Sequence, residues 1–162
     1  MQTTFTLADA GATAALAAAI APRLGAGDFL GLSGGLGAGK SLFARALIAT
    51  RLAALGRSED IPSPSFTLVQ VYDLDTVELW HADLYRLGGT DEITELGLDE
   101  AFRDAISVVE WAERLGAAAP RRGLWLALDF VPGDDDARHA SLAARGDGWT
   151  WLGAALTEAH LA

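Results

Sequence analysis

Cysteine is absent from this chain, which excludes disulfide bridges and thiolate metal sites. Positive charge is scarce: 12 Lys and Arg stand against 22 Asp and Glu, a formal net charge of −10. Phosphate contacts need a basic footprint, so a chain this acidic is not expected to bind nucleic acid by itself. Its surface is compatible with docking on a basic protein partner. No apolar run reaches the roughly 20 residues that cross a bilayer. The alanine-rich stretch Ala12–Ala21 is too short and too weakly apolar. No N-terminal segment joins a basic start to an apolar core and a cleavage site, so a cytoplasmic protein is expected. Internal repeats and interdomain linkers are also missing. The 162 residues are expected to form one domain with a real core.

Lysine is the most telling scarcity. The only lysine is Lys40, and every other basic side chain is arginine. A position that keeps lysine against such a bias suggests a compact ammonium on a slim stem rather than a wide planar fork. Lys40 lies in Gly34-Gly35-Leu36-Gly37-Ala38-Gly39-Lys40-Ser41, which fits the P-loop pattern. That pattern curls successive backbone N–H groups round a phosphate, and glycine permits the necessary dihedrals. Asp28–Ser33 reads as a short buried strand entering the loop. Ser41–Leu52 reads as an amphipathic helix leaving it, with Leu42, Ala46 and Ala49 at helical spacing. The N-terminal dipole of that helix points at the same anion.

The remaining pattern alternates strands with helices. Thr3–Leu7 opens as a strand, and Asp9 caps a helix running to about Leu24. Gly56 to Pro64 reads as a polar, mobile loop. Phe66–Leu74 and Val77–Leu84 form a hairpin, Glu92–Asp104 is helical, and Ala105–Glu110 is a buried strand. A short helix begins at Ala112, strands follow at Gly123–Phe130 and Arg138–Ala144, and Trp149–Leu161 is a terminal helix. The fold class is α/β: a mainly parallel P-loop-type sheet flanked by helices, with an antiparallel hairpin addition.

A P-loop nucleoside triphosphatase also needs a hydroxyl and a carboxylate for Mg²⁺. Ser41 supplies the hydroxyl. Three carboxylates end apolar strands and compete for the acidic role. Glu110 is the first choice, after Ile106-Ser107-Val108-Val109, because ligands of open α/β sheets lie at the carboxyl ends of strands. Asp83 is second and Asp129 third. His81 shares a strand face with Asp83 and reads as a hydrogen-bonding structural histidine. Arg138, after Asp134-Asp135-Asp136, reads as a surface ion pair ahead of a contact to nucleotide or a partner. Trp111 packs either beside the site or in the core.

Several segments together resemble the TsaE (YjeE) family. They are Gly34–Ser41, Ser63-Pro64-Ser65-Phe66-Thr67-Leu68, His81-Ala82-Asp83-Leu84-Tyr85-Arg86-Leu87, Glu95-Leu96-Gly97-Leu98 and Val109-Glu110-Trp111, and they occur in the family's order. The resemblance covers nearly the whole chain. It implies the ATPase subunit of bacterial tRNA threonylcarbamoyladenosine biosynthesis, acting with a TsaB–TsaD pair and meeting tRNA only through that complex. ATP or ADP would lie along Gly35, Leu36, Gly37, Ala38, Gly39, Lys40, Ser41 and Leu42. Mg²⁺ would be held by Ser41 and Glu110. The implied catalytic set is Lys40, Thr67, Asp83 and Glu110, with Ser63–Thr67 as a switch loop and the adenine near Phe5 to Thr13.

The chain departs from that family at several positions. Relatives often carry an acid at Gly35, threonine at Ser41, Leu42 and Ser65, and an aromatic at Ala82. Ser41 keeps the hydroxyl, while loss of the acid at position 35 bears on hydrolysis more than on binding. Two other classes fit the loop. A small-molecule P-loop kinase usually wants an arginine-rich lid, and Arg121-Arg122 is the only adjacent pair. A nucleotide-dependent interaction module would hydrolyse only incidentally. Phosphate-transfer screens test the first, and partner binding with ATP, ADP or no nucleotide tests the second.

Overall fold

A computed structural model describes residues 1–161. Seven strands form one sheet in the order β1-β7-β6-β2-β5-β4-β3. In chain order they are β1 (Gln2–Leu7), β2 (Phe29–Ser33), β3 (Val69–Asp73), β4 (Glu78–Asp83), β5 (Ile106–Glu110), β6 (Gly123–Val131) and β7 (Asp134–Arg145). The inner pairs β6/β2, β2/β5 and β5/β4 are parallel, while β1/β7, β7/β6 and β4/β3 are antiparallel. Strands β1, β2, β4, β5 and β6 therefore share one direction. The expected mainly parallel sheet and its β3–β4 hairpin are both present.

Alternation along the inner strands builds a core on each face. Leu30, Leu32, Ile106 and Val108 join Leu124, Leu126 and Leu128 in one cluster. That cluster packs against α1 (Ala10–Ile20), α2 (Lys40–Ala54) and α5 (Leu152–Glu158). Phe29 and Val109 point the other way, into a smaller cluster with Ile93, Leu98 and Leu115. Helices α3 (Asp91–Glu95) and α4 (Leu98–Asp104) and the 3₁₀ segment Ala112–Ala118 cover that face. Parallel strands need cover on both sides, and this arrangement supplies it.

Several boundaries differ from the sequence expectation. Helix α1 is capped as expected, with the Asp9 side chain accepting from the Ala12 N–H, but it ends at Ile20 and continues as the 3₁₀ turn Ala21–Arg23. Helix α2 buries Phe43, Ala44, Leu47, Ile48 and Leu52, not the Leu42–Ala46–Ala49 line. Small alanines fall on every side of this helix, so the large side chains decide which face turns inward. Strand β3 begins at Val69, three residues after Phe66. Leu68 donates its N–H to Pro64 O and has a left-handed φ of 68°, which closes a turn before the strand can start. The helix expected over Glu92–Asp104 is two helices, broken at Gly97. Strand β7 starts at Asp134 rather than Arg138, and the acidic run forms the exposed tip of the β6–β7 hairpin beyond the end of β1.

No helix of the described residues is long and apolar enough to cross a membrane.

Candidate functional site

Three parallel strands end on the same edge of the sheet, and their last residues converge there. Ser33 ends β2, Asp83 ends β4 and Glu110 ends β5, with Asp83 and Glu110 direct register partners. The loop leaving β2 must turn back at once into α2. Gly34 makes that turn with a φ of 139°, and a Cβ there would lie 2.4 Å from Leu128 O. Both the dihedral and the space therefore demand glycine. Gly39 caps α2 at a φ of 110°, so Lys40 and Ser41 occupy the helix's first turn. First-turn N–H groups have no intrahelical acceptor and carry the positive end of the helix dipole.

The loop borders a cavity of about 420 Å³. Of the expected nucleotide residues, Leu36, Gly37, Ala38, Gly39, Lys40, Ser41 and Leu42 line it, and so do Asp83 and Glu110. Gly35 takes part through its backbone, because its carbonyl accepts from Lys40 Nζ at 2.8 Å. Lys40 Nζ also donates to Gly34 O at 2.7 Å and lies 4.2 Å from the centre of the Trp111 ring. Lys40 is only 4% exposed. Burial pushes its pKa below the usual lysine value, opposed by the charges of Glu110, Glu113 and Asp83. The site thus holds a desolvated ammonium with two backbone carbonyls and an aromatic face for company.

Glu110 is the hub of the acidic side. Its Oε1 accepts the Ser41 hydroxyl at 2.6 Å, and its Oε2 lies 2.6 Å from His81 Nε2. An ionised carboxylate can only accept, and against one the imidazole donates from Nε2–H. Glu110 is 1% exposed and His81 is fully buried. Asp83 accepts the Ser65 hydroxyl at 3.2 Å and the Tyr85 N–H at 2.9 Å. Ser65 also exchanges a 2.8 Å hydrogen bond with Ser63. Among the described residues, no group of three or more His, Asp or Glu side chains could hold a metal ion by itself.

Two expected residues lie apart from the cavity. Thr67 is exposed, and its hydroxyl accepts from Gln70 Nε2 at 3.3 Å. Ser65 is the member of the Ser63–Thr67 segment that reaches the cavity wall. Asp129, the third carboxylate considered, lines a separate cavity with Thr4, Thr6 and His139. The Arg121-Arg122 pair is also remote, with Arg122 bonded to Asp28 at 2.7 Å and stacked on Trp149.

Other residues reach the site without a clear local signal. Arg138 is not in a surface ion pair. Its guanidinium donates to Ala38 O at 3.1 Å and Gly37 O at 3.2 Å, is held by Asp135 O and Ala137 O at 2.7 Å each, and stacks on Phe130. It therefore braces the outside of the glycine-rich loop. Trp111 lies at the site rather than away from it, with a φ of 56° and its ring 4.9 Å from Tyr85. Ala10 and Thr13 at the start of α1 complete one wall, within or next to the N-terminal stretch named above. The Pro132-Gly133 pair was the signal that could have extended the β6–β7 hairpin and brought Asp135, Asp136 and Arg138 to the cavity.

The chain matches the family model described as "Threonylcarbamoyl adenosine biosynthesis protein TsaE" over residues 7–139. The tRNA threonylcarbamoyladenosine biosynthesis protein TsaE of Streptomyces coelicolor is 38% identical over 135 residues, covering 80% of this chain and 88% of that protein. The protein of the same name from Bacillus subtilis is 34% identical over 127 residues, covering 78% and 75%. A crystal structure of Bacillus subtilis YdiB superposes with a TM-score of 0.76 at 28% identity, covering 97% of this chain and 95% of that one. The family model spans most of the chain and the relatives match it over most of their own length: the chain belongs to the TsaE family of tRNA threonylcarbamoyladenosine biosynthesis proteins.

Proposed function

We propose that this chain binds ATP with Mg²⁺ at the Lys40 cavity and hydrolyses it slowly, as the ATPase subunit of a TsaB–TsaD-type complex that forms threonylcarbamoyladenosine in tRNA. The observation that carries this reading is the meeting of Lys40, Ser41, Asp83 and Glu110 in one cavity at the N-terminus of α2. The cradle fits a phosphate chain, since glycine backbone replaces side chains where an anion must come close. The donor set also fits Mg²⁺, a hard cation that takes few protein oxygens and completes its shell with phosphate and water. That preference agrees with a site built from one hydroxyl and one carboxylate rather than a cluster of acids.

Each residue has a task in this reading. Lys40 exchanges its loop carbonyls for phosphate oxygens. Ser41 and Glu110 would hold the cation. When bound, Mg²⁺ neutralises charge that develops on the transferring phosphoryl group. Asp83 faces the same space and positions water or metal, and Ser65 ties the segment before β3 to it. Arg138 lines the cavity but is engaged by the carbonyls of Ala38 and Gly37, which favours bracing the loop over acting as a finger. Slow turnover without partners follows. Transfer of threonylcarbamoyl belongs to the TsaD-type partner, and tRNA is met through the complex, because a net charge of −10 opposes direct binding. A cytoplasmic location goes with that role.

Titration of labelled protein with TsaB–TsaD, with ATP and without nucleotide, tests the reading. It expects tighter association with ATP and negligible tRNA binding by the lone chain. Equal affinity in both states, together with tight tRNA binding by the chain alone, would overturn it.

A further inference from the structure

His81 has no role in the reading above, yet it touches the residue on which the metal half of that reading depends. Glu110 and His81 lie on adjacent parallel strands, with Asp83 opposite Glu110 and Val108 opposite His81. Two positions back along β4 therefore places the imidazole diagonally behind the Glu110 carboxylate, on the same face of the sheet. The 2.6 Å contact from Nε2 to Oε2 is buried at both ends. Here Nδ1 has no partner among the described residues, so the ring's one polar contact is spent on Glu110.

We propose that His81 is the positioning residue of the cation half-site. Its Nε2–H occupies one carboxylate oxygen and fixes the rotation of the group. The other oxygen is thereby left facing Ser41, where it accepts a hydrogen bond from the hydroxyl and would leave the hydroxyl oxygen's lone pairs to a divalent cation. A carboxylate on a free side chain would sample other rotamers and reach the cation only part of the time. His81 itself touches neither cation nor nucleotide. Its loss should weaken the cation's contribution to nucleotide binding and leave cation-free nucleotide binding in place. The inference rests on the proposed ATP and Mg²⁺ site.

The test compares wild type, His81→Leu and His81→Gln for binding of a non-hydrolysable ATP analogue, in Mg²⁺ and in EDTA. Leucine fills the space without a donor, whereas glutamine places an amide N–H near the position of Nε2. Outer partners of metal ligands typically change metal affinity by about 10- to 100-fold. His81→Leu should therefore need about tenfold or more Mg²⁺ to reach the wild-type gain in affinity, with EDTA affinity within about threefold of wild type. His81→Gln should restore most of the Mg²⁺ response. A melting curve of each empty protein establishes that it is folded. Two results would overturn the inference. One is a wild-type Mg²⁺ response in His81→Leu. The other is an equal loss of binding in Mg²⁺ and EDTA that glutamine does not repair, which is the mark of a merely structural histidine. If wild type itself fails to bind the analogue in either condition, the nucleotide reading fails and this inference goes with it.

Discussion

Replacing Glu110 by glutamine separates folding from chemistry at this site. The carboxylate accepts two charge-assisted hydrogen bonds, from Ser41 and His81, at 2.6 Å each. Such bonds contribute about 1.5–3 kcal/mol each, against about 0.5–1.5 for neutral ones. The amide oxygen can still accept from His81 Nε2–H, and the amide nitrogen can donate to the freely rotating Ser41 hydroxyl. The weakening is then about 1–1.5 kcal/mol per contact, a difference of those same ranges. Removing an ionised group that is 1% exposed offsets part of it. The variant should fold, with a net change of no more than about 2–3 kcal/mol against the 5–15 typical of a domain. Turnover should respond far more strongly. Removing preorganised charge from a phosphoryl-transfer site typically lowers kcat by about 10²-fold or more, equivalent to about 2.7 kcal/mol. The assay pairs steady-state phosphate release with nucleotide binding in EDTA, beside Asp129→Asn as the control. Asp129 lines a different cavity and should be silent. Normal turnover in Glu110→Gln with a crippled Asp129→Asn would refute the assignment of the acidic residue.

Three further outcomes follow from the same geometry. Burial lowers the Lys40 pKa, so its amine is deprotonated at lower pH than an exposed lysine, and as the sole lysine it should be the only internal target of an amine-reactive ATP analogue. The sign also sets its effect on folding: the charged group disfavours the buried state below its folded pKa, and that effect fades as pH rises towards 10.5. Excess ATP should protect Lys40, and mass spectrometry of the labelled peptide checks both statements. Arg138→Gln removes two guanidinium hydrogen bonds, to Ala38 O and Gly37 O, and should weaken ATP and ADP alike by at least about tenfold, as read by equilibrium binding. Ser65→Ala, which frees Asp83, should disturb the ATP dependence of partner binding more than Thr67→Ala, since only Ser65 reaches the cavity.

What was legible in the sequence is what depends on local spacing. The glycine-rich loop, Lys40 and Ser41 sit in one short run, and each of Glu110 and Asp83 ends an apolar strand. What depends on distant partners was not legible. The Arg138 brace needs Ala38, a hundred residues away, and the His81 contact needs a register between strands. The choice between Ser65 and Thr67 turned on where β3 begins. That start is set by the Leu68 turn, which the alternating apolar pattern conceals. The buried face of α2 was misread for a related reason, because alanine satisfies a helical spacing without revealing which side packs.

Phosphate capture by Lys40 is the foundation of the site, and an equilibrium titration of wild type and Lys40→Ala with Mg·ATP measures it directly. Wild type should bind one ATP per chain saturably, with ADP in competition. Lys40→Ala should bind at least about tenfold more weakly, the least expected when a buried charged donor is removed. No saturable binding by wild type at millimolar ATP, or unchanged affinity in Lys40→Ala, would contradict the account.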